Sequence, residues 1–283
     1  MAIDTDVKTR SWLTRFGYLL SESPTPEEVT AAVTKMQRVY RLEEDGDPGP
    51  ITRRAMGLFR CSQKDANIVM ADPAAISAPV VVGTKCRWKK ADVSFAINDD
   101  FDLGIDRSSA LAVIRKGFVY YEPLTGLTFR ESTDYSSADI QILSAAGVGS
   151  GFDGVGNILA LSNTPCGSVD KQLKTVFDAA EPWVAGSGAG IILLSVWMHE
   201  LGHLCGLNHS SNPDDLMSPY YTPDILYPQR TDKQRLAGLY GIPYVETKDV
   251  GGRLGVGAYA IDGVLVVRHD GGVAINIKDL TPA

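Results

Sequence analysis

The 283-residue chain has no block of basic residues and no long apolar run, and these absences exclude two classes of partner. Its formal net charge is −7 at pH 7, so nucleic acid is not an expected partner. No apolar stretch is long enough to cross a membrane; residues 188–198 come nearest and lead directly into a segment with ionisable groups. The first ten residues, MAIDTDVKTR, lack the apolar core of a signal peptide. Either an export signal was removed and replaced by a start methionine, or the protein is not exported by that route.

Cysteine is also scarce, because the chain has only four: Cys61, Cys86, Cys166 and Cys205. Four cysteines without a CxxC pattern are too few for a disulfide scaffold. Cys205 lies in a helical segment and is expected to be a small core residue. Cys86 and Cys166 could form one bridge, but the sequence does not show whether their geometry allows it.

The four histidines are unevenly distributed, because three of them fall within the run HELGHLCGLNH. His199 and His203 are four residues apart, so on a helix they project from nearly the same face and can bind one metal ion together. Gly206 can adopt the positive φ that ends the helix and turns the chain back, which brings His209 in as a third ligand. Three protein ligands leave one tetrahedral position open, as in catalytic zinc sites, and Glu200 reaches the edge of that site. The alternative is an amphipathic core helix with incidental histidines, and the clustering argues against it.

The first 65 residues predict a small helical domain. A threonine followed by Pro-Glu-Glu at residues 25–28 is a good helix start, and apolar residues recur at helical spacing as far as residue 41. The stretch GDPGP at residues 46–50 ends this helix, and a second helix is expected over residues 51–59. Residues 66–85 have few charges and several small residues, which is typical of an exposed and cleavable linker.

Residues 86–241 mix strand and helix patterns, which indicates a sheet with helices packed on it. The predicted strands lie near residues 91–97, 127–131, 139–143 and 157–161, and the predicted helices near residues 108–121, 190–205 and 232–240. Residues 242–283 form a further segment with a different character. Asp-Gly pairs at residues 262–263 and 270–271 are strong hairpin turns, so we expect three small strands there, added to or packed on the main domain.

Several motifs resemble those of the matrixin family, that is, matrix metalloproteinases with the propeptide attached. Ser210 follows the third histidine, as in matrixins, and Met217 in DLMSP matches the Met-turn methionine beneath the metal. Pro219 and Tyr221 match the P-x-Y segment that lines the specificity pocket of the family. Further matches are PLTGLTF, ADIQI, FDGVG, VFDAAEPW and LAGLYG, so the resemblance covers about residues 12–241.

The resemblance implies a fold as well as a site. The expected class is α+β (mixed α/β), with a metzincin-type catalytic domain that has a twisted, mainly parallel sheet and long helices. A small three-helix propeptide domain would precede it. The domains would then be residues 1–65 (helical propeptide), 66–85 (activation linker), 86–241 (catalytic domain) and 242–283 (small β-rich extension), with no hemopexin-like domain following.

The segment RCSQKD at residues 60–65 resembles the cysteine switch of matrixin propeptides. By this resemblance the sulfur of Cys61 occupies the fourth zinc position and keeps the enzyme latent, while Arg60 and Asp65 hold the switch loop in shape. The middle of the loop, residues 62–64, departs from the family's Gly-Val-Pro, and Phe59 replaces a proline. The thiolate chemistry survives these changes, because zinc lowers the pKa of a coordinating thiol. The alternative is a free cysteine in a linker.

Matrixins also hold a structural zinc and calcium, and this chain differs at the first of these sites. The matching zinc-ligand positions all carry apolar residues, namely Ala146, Val148, Leu161 and Val176. We therefore expect one zinc per chain and a loop filled with core side chains. The calcium carboxylates are matched by Asp153, Asp178 and Glu181, and three acids suit a hard, oxygen-ligated cation. The alternative for these acids is a set of turn-forming residues on a solvated loop.

The expected function is that of a secreted, latent zinc endopeptidase that acts on protein or peptide substrates and is released by an activating protease. Zinc would acidify a water and polarise the scissile carbonyl, with Glu200 as the general base. A monomer is expected. A rival interpretation is a cell-wall or matrix-targeted binding protein, because the N-terminal helices also resemble small peptidoglycan-binding domains. Cys61 separates the two, since a wall-binding module has no need of a thiol before a cleavable linker. An intact Glu200 argues against a zinc-binding pseudoenzyme.

Overall fold

A computed structural model describes residues 7–65, 86–147, 152–166, 172–186 and 188–242, together with the backbone of three strands nearer the C terminus. No helix in these ranges is long and apolar enough to cross a membrane.

The N-terminal unit contains the helices α1 (Val7–Arg15), α2 (Pro26–Val39) and α3 (Pro50–Met56). Helix α2 begins with a capping box, in which the Thr25 hydroxyl accepts from the Glu28 backbone N–H and the Glu28 carboxylate accepts from the Thr25 N–H. The apolar faces of the helices pack into a core of their own, which includes Leu13, Phe16, Val33 and Met36. The predicted second helix ends at Met56 rather than Phe59, because Gly57 caps it.

The central sheet has six strands: β1 (Arg60–Cys61), β2 (Asp92–Ile97), β3 (Thr128–Glu131), β4 (Ile140–Ala145), β5 (Ile158–Ser162) and β6 (Leu173–Asp178). Their order across the sheet is β1-β5-β6-β4-β2-β3. All neighbouring pairs are parallel except β5 and β6, which are antiparallel. The sheet is therefore mainly parallel, and together with the helices it confirms the expected α+β class. Strand β1 comes from the N-terminal unit and forms one edge of the sheet.

Three helices and a short strand pair complete the main domain: α4 (Arg107–Thr125), α5 (Leu193–Leu204), α6 (Arg230–Tyr240), β7 (Trp183–Val184) and β8 (Ile191–Ile192). Every residue of α5 is buried, so this helix lies at the centre of the domain. The predicted helix over residues 190–205 begins later than expected, because residues 191–192 pair with β7 instead.

Close packing of α4 against α5 sets the position of the central helix. The Trp197 indole N–H donates to the Ile114 carbonyl at 2.9 Å. A Cβ atom on Gly117 would lie 2.1 Å from Trp197 Nε1, so this glycine permits the approach of the two helices. The Tyr121 hydroxyl donates to the Met198 carbonyl at 2.7 Å, one residue before the first histidine of the motif.

The apolar residues that replace the second zinc site do not all lie in a core, which corrects one expectation. Leu161 of β5 pairs with Val176 of β6, and both are only half-buried. Val176 packs on the core of the N-terminal helices, whereas Ala146 is exposed. Val148 lies outside the described residues. Apolar packing at this loop therefore involves the N-terminal unit, because that unit covers the β5–β6 end of the sheet.

Cys86 and Cys166 form a disulfide, which resolves the pairing that the sequence left open.

Near the C terminus, β9 (Gly257–Ile261), β10 (Val264–Arg268) and β11 (Ala274–Ile277) form a separate antiparallel sheet, in agreement with the three expected strands. The predicted turn residues at 262–263 and 270–271 lie outside the described residues.

Candidate metal centre

Helix α5 and the turn after it bring the three histidines of the motif together. His199 and His203 are on one face of α5, with ring centroids 4.8 Å apart. The helix ends at Leu204, and Gly206 follows with a φ of 96°. A Cβ atom at Gly206 would lie 1.8 Å from the Cys86 carbonyl oxygen, so only glycine fits this turn. The chain then returns and places the His209 ring 4.8 Å from the ring of His203.

Cys61 joins the three histidines from the opposite side. One donor atom from each of these four residues lies within 4.8 Å of the others, and all four residues are buried. The Cys61 Sγ is 3.5 Å from His203 Nε2. The Nε2 atoms of His199 and His209 are buried and have no hydrogen-bond partner among the described residues. Three nitrogens and a sulfur around one point form the donor set that tetrahedral zinc prefers.

Hydrogen bonds at Nδ1 orient each imidazole so that Nε2 faces this shared point. His199 Nδ1 lies 2.7 Å from the Leu216 carbonyl oxygen, and His203 Nδ1 lies 2.7 Å from that of Leu207. Burial lowers the pKa of His199 to about 3 and also lowers the pKa values of His203 and His209. The rings are therefore neutral at physiological pH, which is the form that binds a metal.

Glu200 lies in the same helix and is fully buried. Neither of its carboxylate oxygens has a hydrogen-bond partner among the described residues, and both belong to the wall of the cleft that His199 and Cys61 also line. Burial raises the pKa of Glu200 to about 7. Burial and the nearby Glu200 charge also raise the pKa of the Cys61 thiol. A carboxylate with a pKa near neutrality is well suited to accept and return a proton.

Met217 lies directly beneath the histidine helix, as its sequence position predicts. A Cβ atom on Gly202 would be 2.4 Å from the Met217 sulfur, so the turn and the helix are in close contact. The Met217 carbonyl accepts from the Ser210 N–H at 2.7 Å. Asp232 of α6 accepts from the Leu216 N–H at 2.9 Å, so the turn is held from two sides.

Pro219 and Tyr221 form the wall of the cleft that faces strand β5. The Cys61 N–H donates to the Pro219 carbonyl at 3.1 Å, and the Tyr221 N–H donates to the Phe59 carbonyl at 2.7 Å. The Tyr221 hydroxyl accepts from the backbone of residue 192 at 3.0 Å. Ser195, Val196 and Ile225 also line this cleft.

Arg60 and Asp65 form a buried ion pair at 2.9 Å, and both are almost fully enclosed. The Arg60 guanidinium lies 3.5 Å from the centroid of the Phe16 ring and donates to the Tyr40 hydroxyl at 2.6 Å. Burial alone would raise the pKa of Asp65, but the charge of Arg60 and the hydrogen bonds from His209 and Arg60 lower it to about 2. The Tyr18 hydroxyl also donates to Asp65, at 2.7 Å.

Sequence reasoning missed both the aromatic shell around Arg60 and the contact between Asp65 and His209. The His209 Nδ1 lies 2.8 Å from Asp65 Oδ1 across 144 residues of chain. No spacing rule links residues so far apart. The aromatic residues in α1 and just after α1 and α2 fit core positions equally well, so their sequence pattern does not reveal the arginine.

The altered middle of the switch loop is held by side-chain contacts of its own. The Gln63 N–H donates to the Cys61 Sγ at 3.3 Å, and the Gln63 side-chain amide donates to the Ser162 carbonyl. The Ser62 N–H donates to the Ala160 carbonyl at 2.9 Å. The loop therefore keeps Cys61 beside the histidines without the Gly-Val-Pro sequence of the family.

The three acids proposed for calcium lie near one another but do not form as tight a group as the histidines. Among the described residues, Cys61 and the three histidines are the one group of His, Cys, Asp or Glu side chains whose donor atoms converge within 4.8 Å of one another. Glu181 accepts from the Gly156 N–H at 2.6 Å, and Asp153 accepts from the Ile158 N–H at 3.3 Å. Burial and the charges of Asp178 and Asp153 raise the pKa of Glu181.

Comparisons with known proteins match both units of the chain. Residues 7–56 match a family described as putative peptidoglycan binding domain. The chain is 29% identical over 266 residues to matrix metalloproteinase-15 of Homo sapiens, covering 86% of this chain and 39% of that protein. It is 32% identical over 250 residues to matrix metalloproteinase-17 of Homo sapiens, covering 82% of this chain and 40% of that protein. The chain thus spans about two fifths of the length of these relatives.

The main domain carries the decisive match, because residues 87–241 match the Matrixin peptidase family over more than half of the chain. This range contains the three histidines, the Met-turn and the cleft wall described above. The chain belongs to the matrixin family.

Proposed function

We propose that the chain is a latent zinc-dependent endopeptidase in which Cys61 blocks the metal site. The observation that carries this proposal is the convergence of the Cys61 sulfur and three imidazoles from a matrixin peptidase domain on one buried point. His199, His203 and His209 would hold the zinc, and the sulfur would take the position that a water needs. A free cysteine in a linker would not be buried against these histidines.

The chemistry of the site is amide hydrolysis. When bound, zinc supplies Lewis-acid polarisation of the scissile carbonyl and lowers the pKa of a water. Glu200 accepts the proton of the attacking water and then delivers it to the leaving amine. Its buried, unpartnered carboxylate and its pKa of about 7 support both roles. In the latent chain the Cys61 thiol lies near this carboxylate, and burial together with the charge of Glu200 raises the pKa of the thiol.

The cleft is suited to an extended polypeptide, because the prosegment itself crosses it as a strand. Strand β1 is parallel to β5, and the Arg60 N–H donates to the Asn157 carbonyl at 2.7 Å. On the other side, the backbone of residues 59–61 bonds with Pro219 and Tyr221. Removal of the prosegment leaves backbone donors and acceptors on both walls for a peptide substrate. The part of the cleft lined by Ser195, Val196 and Ile225 would accept one of its side chains.

We infer that activation requires a cut in residues 66–85 by another protease, which separates residues 1–65 from the catalytic domain at 86–241. The β-rich residues 242–283 lie after that domain. We also infer that the protein is secreted, because the disulfide of Cys86 and Cys166 requires an oxidising compartment.

A calcium ion at Asp153, Asp178 and Glu181 is the second metal that we propose. Asp178 Oδ2 and Glu181 Oε2 are buried and have no hydrogen-bond partner among the described residues. A hard cation would satisfy these oxygens and relieve the repulsion between the carboxylates.

A second candidate function is cell-wall binding, which the family match at residues 7–56 favours. In this case the intact chain would sediment with purified peptidoglycan, and a variant with disrupted N-terminal helices would not. Latency through Cys61 does not depend on that outcome.

The deciding experiment is cleavage of a quenched fluorescent peptide, with and without a zinc chelator, before and after removal of residues 1 to about 80. We expect activity only after removal and only with zinc. A Glu200→Ala chain should keep its zinc and lose activity by ~10²–10⁴-fold, as removal of a general base does. Loss of zinc from this variant, or turnover above about a hundredth of the wild-type value, would contradict the role of Glu200.

A further inference from the structure

Each zinc-ligand histidine donates its Nδ1–H to an oxygen, but one of the three oxygens belongs to the prosegment. His199 and His203 use the backbone carbonyls of Leu216 and Leu207, which lie in the peptidase domain itself. His209 uses the carboxylate of Asp65, which lies before the cleavable linker. The metal site of the latent chain is therefore completed by a group that activation removes.

The Asp65 carboxylate is built to hold this position. It is 1% exposed, and its Oδ1 accepts from His209 Nδ1 at 2.8 Å and from Arg60 Nη2 at 2.9 Å. Its Oδ2 accepts from the Tyr18 hydroxyl at 2.7 Å and from Arg60 Nη1 at 3.1 Å. With these bonds the side chain has no freedom to rotate away from the imidazole.

We propose that Asp65 is a positioning residue for the zinc ligand His209, so that the prosegment strengthens zinc binding as well as blocking the site. This inference rests on the proposed function. The hydrogen bond fixes the His209 tautomer with its Nε2 lone pair toward the metal, and the negative charge increases the basicity of that nitrogen. The prosegment therefore helps the chain to retain zinc until activation.

The competing explanation is that Asp65 only pairs with Arg60 and shapes the switch loop. Tyr18 separates the two explanations, because its hydroxyl bonds the same carboxylate on the oxygen that His209 does not use. Tyr18→Phe should loosen the loop while leaving the bond to His209 in place. It is therefore a matched control for Asp65→Asn, which keeps the size of the side chain and removes its charge.

The test uses the full chain with Glu200→Ala as the parent, which prevents self-digestion and keeps Cys61 and the docked prosegment in place. Zinc affinity is measured by competition with a colorimetric chelator. Adding Asp65→Asn should weaken zinc binding by ~10–100-fold, as loss of an outer-shell partner does. Adding Tyr18→Phe should change the affinity by less than about threefold, because the His209 bond to the outer shell remains.

A second readout, proton NMR, reports on the imidazole directly. With cobalt in place of zinc, the proton NMR spectrum of the parent should show three shifted Nδ1–H signals that exchange slowly with water. Asp65→Asn should alter one of the three signals. Only two slowly exchanging signals in the parent, or equal zinc affinity with and without Asp65→Asn, would overturn the inference and leave the proposed function intact. A parent chain that binds no zinc would overturn both.

Discussion

Replacing Arg60 with alanine should release latency in the uncleaved chain. The Arg60 guanidinium donates to Asp65, to the Tyr40 hydroxyl and to the backbone carbonyls of Cys61 and Gln63. Without it, the docked prosegment must keep the Asp65 carboxylate buried without its cationic partner. When the prosegment leaves the cleft, Asp65 is exposed to water. The substitution therefore destabilises the docked state and not the undocked state.

The size of the effect follows from burial. Removing one partner of a buried ion pair costs about 3–5 kcal/mol. At about 1.36 kcal/mol per tenfold change, the ratio of docked to undocked chains should fall by between about 10²- and 5 × 10³-fold. The bonds to Asp65 from Tyr18 and His209 remain, so we expect the lower end of this range. Arg60→Lys should lie between wild type and alanine, because lysine keeps the charge but not the fork-shaped set of donors.

The assay has two readouts on the intact chain, namely peptide cleavage and alkylation of Cys61 by iodoacetamide. Both rates should rise in Arg60→Ala. Arg38 is the matched control, because it pairs with Glu44 at 2.6 Å on the exposed surface of the same unit. Arg38→Ala should leave both rates unchanged, since water screens the pair. If Arg60→Ala remains as inactive and as protected at Cys61 as wild type, the ion pair does not hold the prosegment.

Three further predictions concern the switch, the helix packing and the metals. Cys61→Ala should make the full-length chain active without proteolysis or strongly speed its conversion, and equal activity of mutant and wild type from the start would show that Cys61 is no switch. Gly117→Ala should lower the free energy of unfolding by about 1–3 kcal/mol, because the new methyl group would overlap the buried Trp197 ring. Thermal unfolding measures this change. An unchanged or higher melting temperature would show that better helix propensity outweighs the overlap. Elemental analysis should find one zinc per chain, and two zinc ions per chain would contradict this assignment. Calcium should raise the melting temperature by mass action without affecting that zinc. A melting temperature that does not change with millimolar calcium would contradict the calcium site.

Sequence patterns predicted those features of the protein that residues close together in the chain determine. The spacing of His199 and His203 on a helix, the turn at Gly206 and the mainly parallel sheet all follow from short-range rules or from the family resemblance. Strand β6 was missed, although Leu173, Thr175 and Phe177 alternate inward along it. Its second half, residues 176–178, coincides with the family match VFDAAEPW, which carried no prediction of secondary structure.

Contacts between distant segments were not accessible in the same way. The bond between Asp65 and His209, the aromatic rings around Arg60 and the half-buried pair of Leu161 and Val176 depend on how the N-terminal unit docks on the sheet. The sequence indicates that these residues are polar or apolar, but it does not indicate which surface each one meets.

The prosegment strand and the cleft that it fills belong to one polypeptide, and this has a kinetic consequence. While the chain is intact, the strand is present at an effective concentration of roughly millimolar, whatever the concentration of the protein. A cut in residues 66–85 makes the same contacts bimolecular, so the strand can leave and is diluted. Cleaved molecules would therefore stay blocked in a concentrated store and become active on dilution. Activity after the cut should depend on protein concentration as well as on the extent of cleavage.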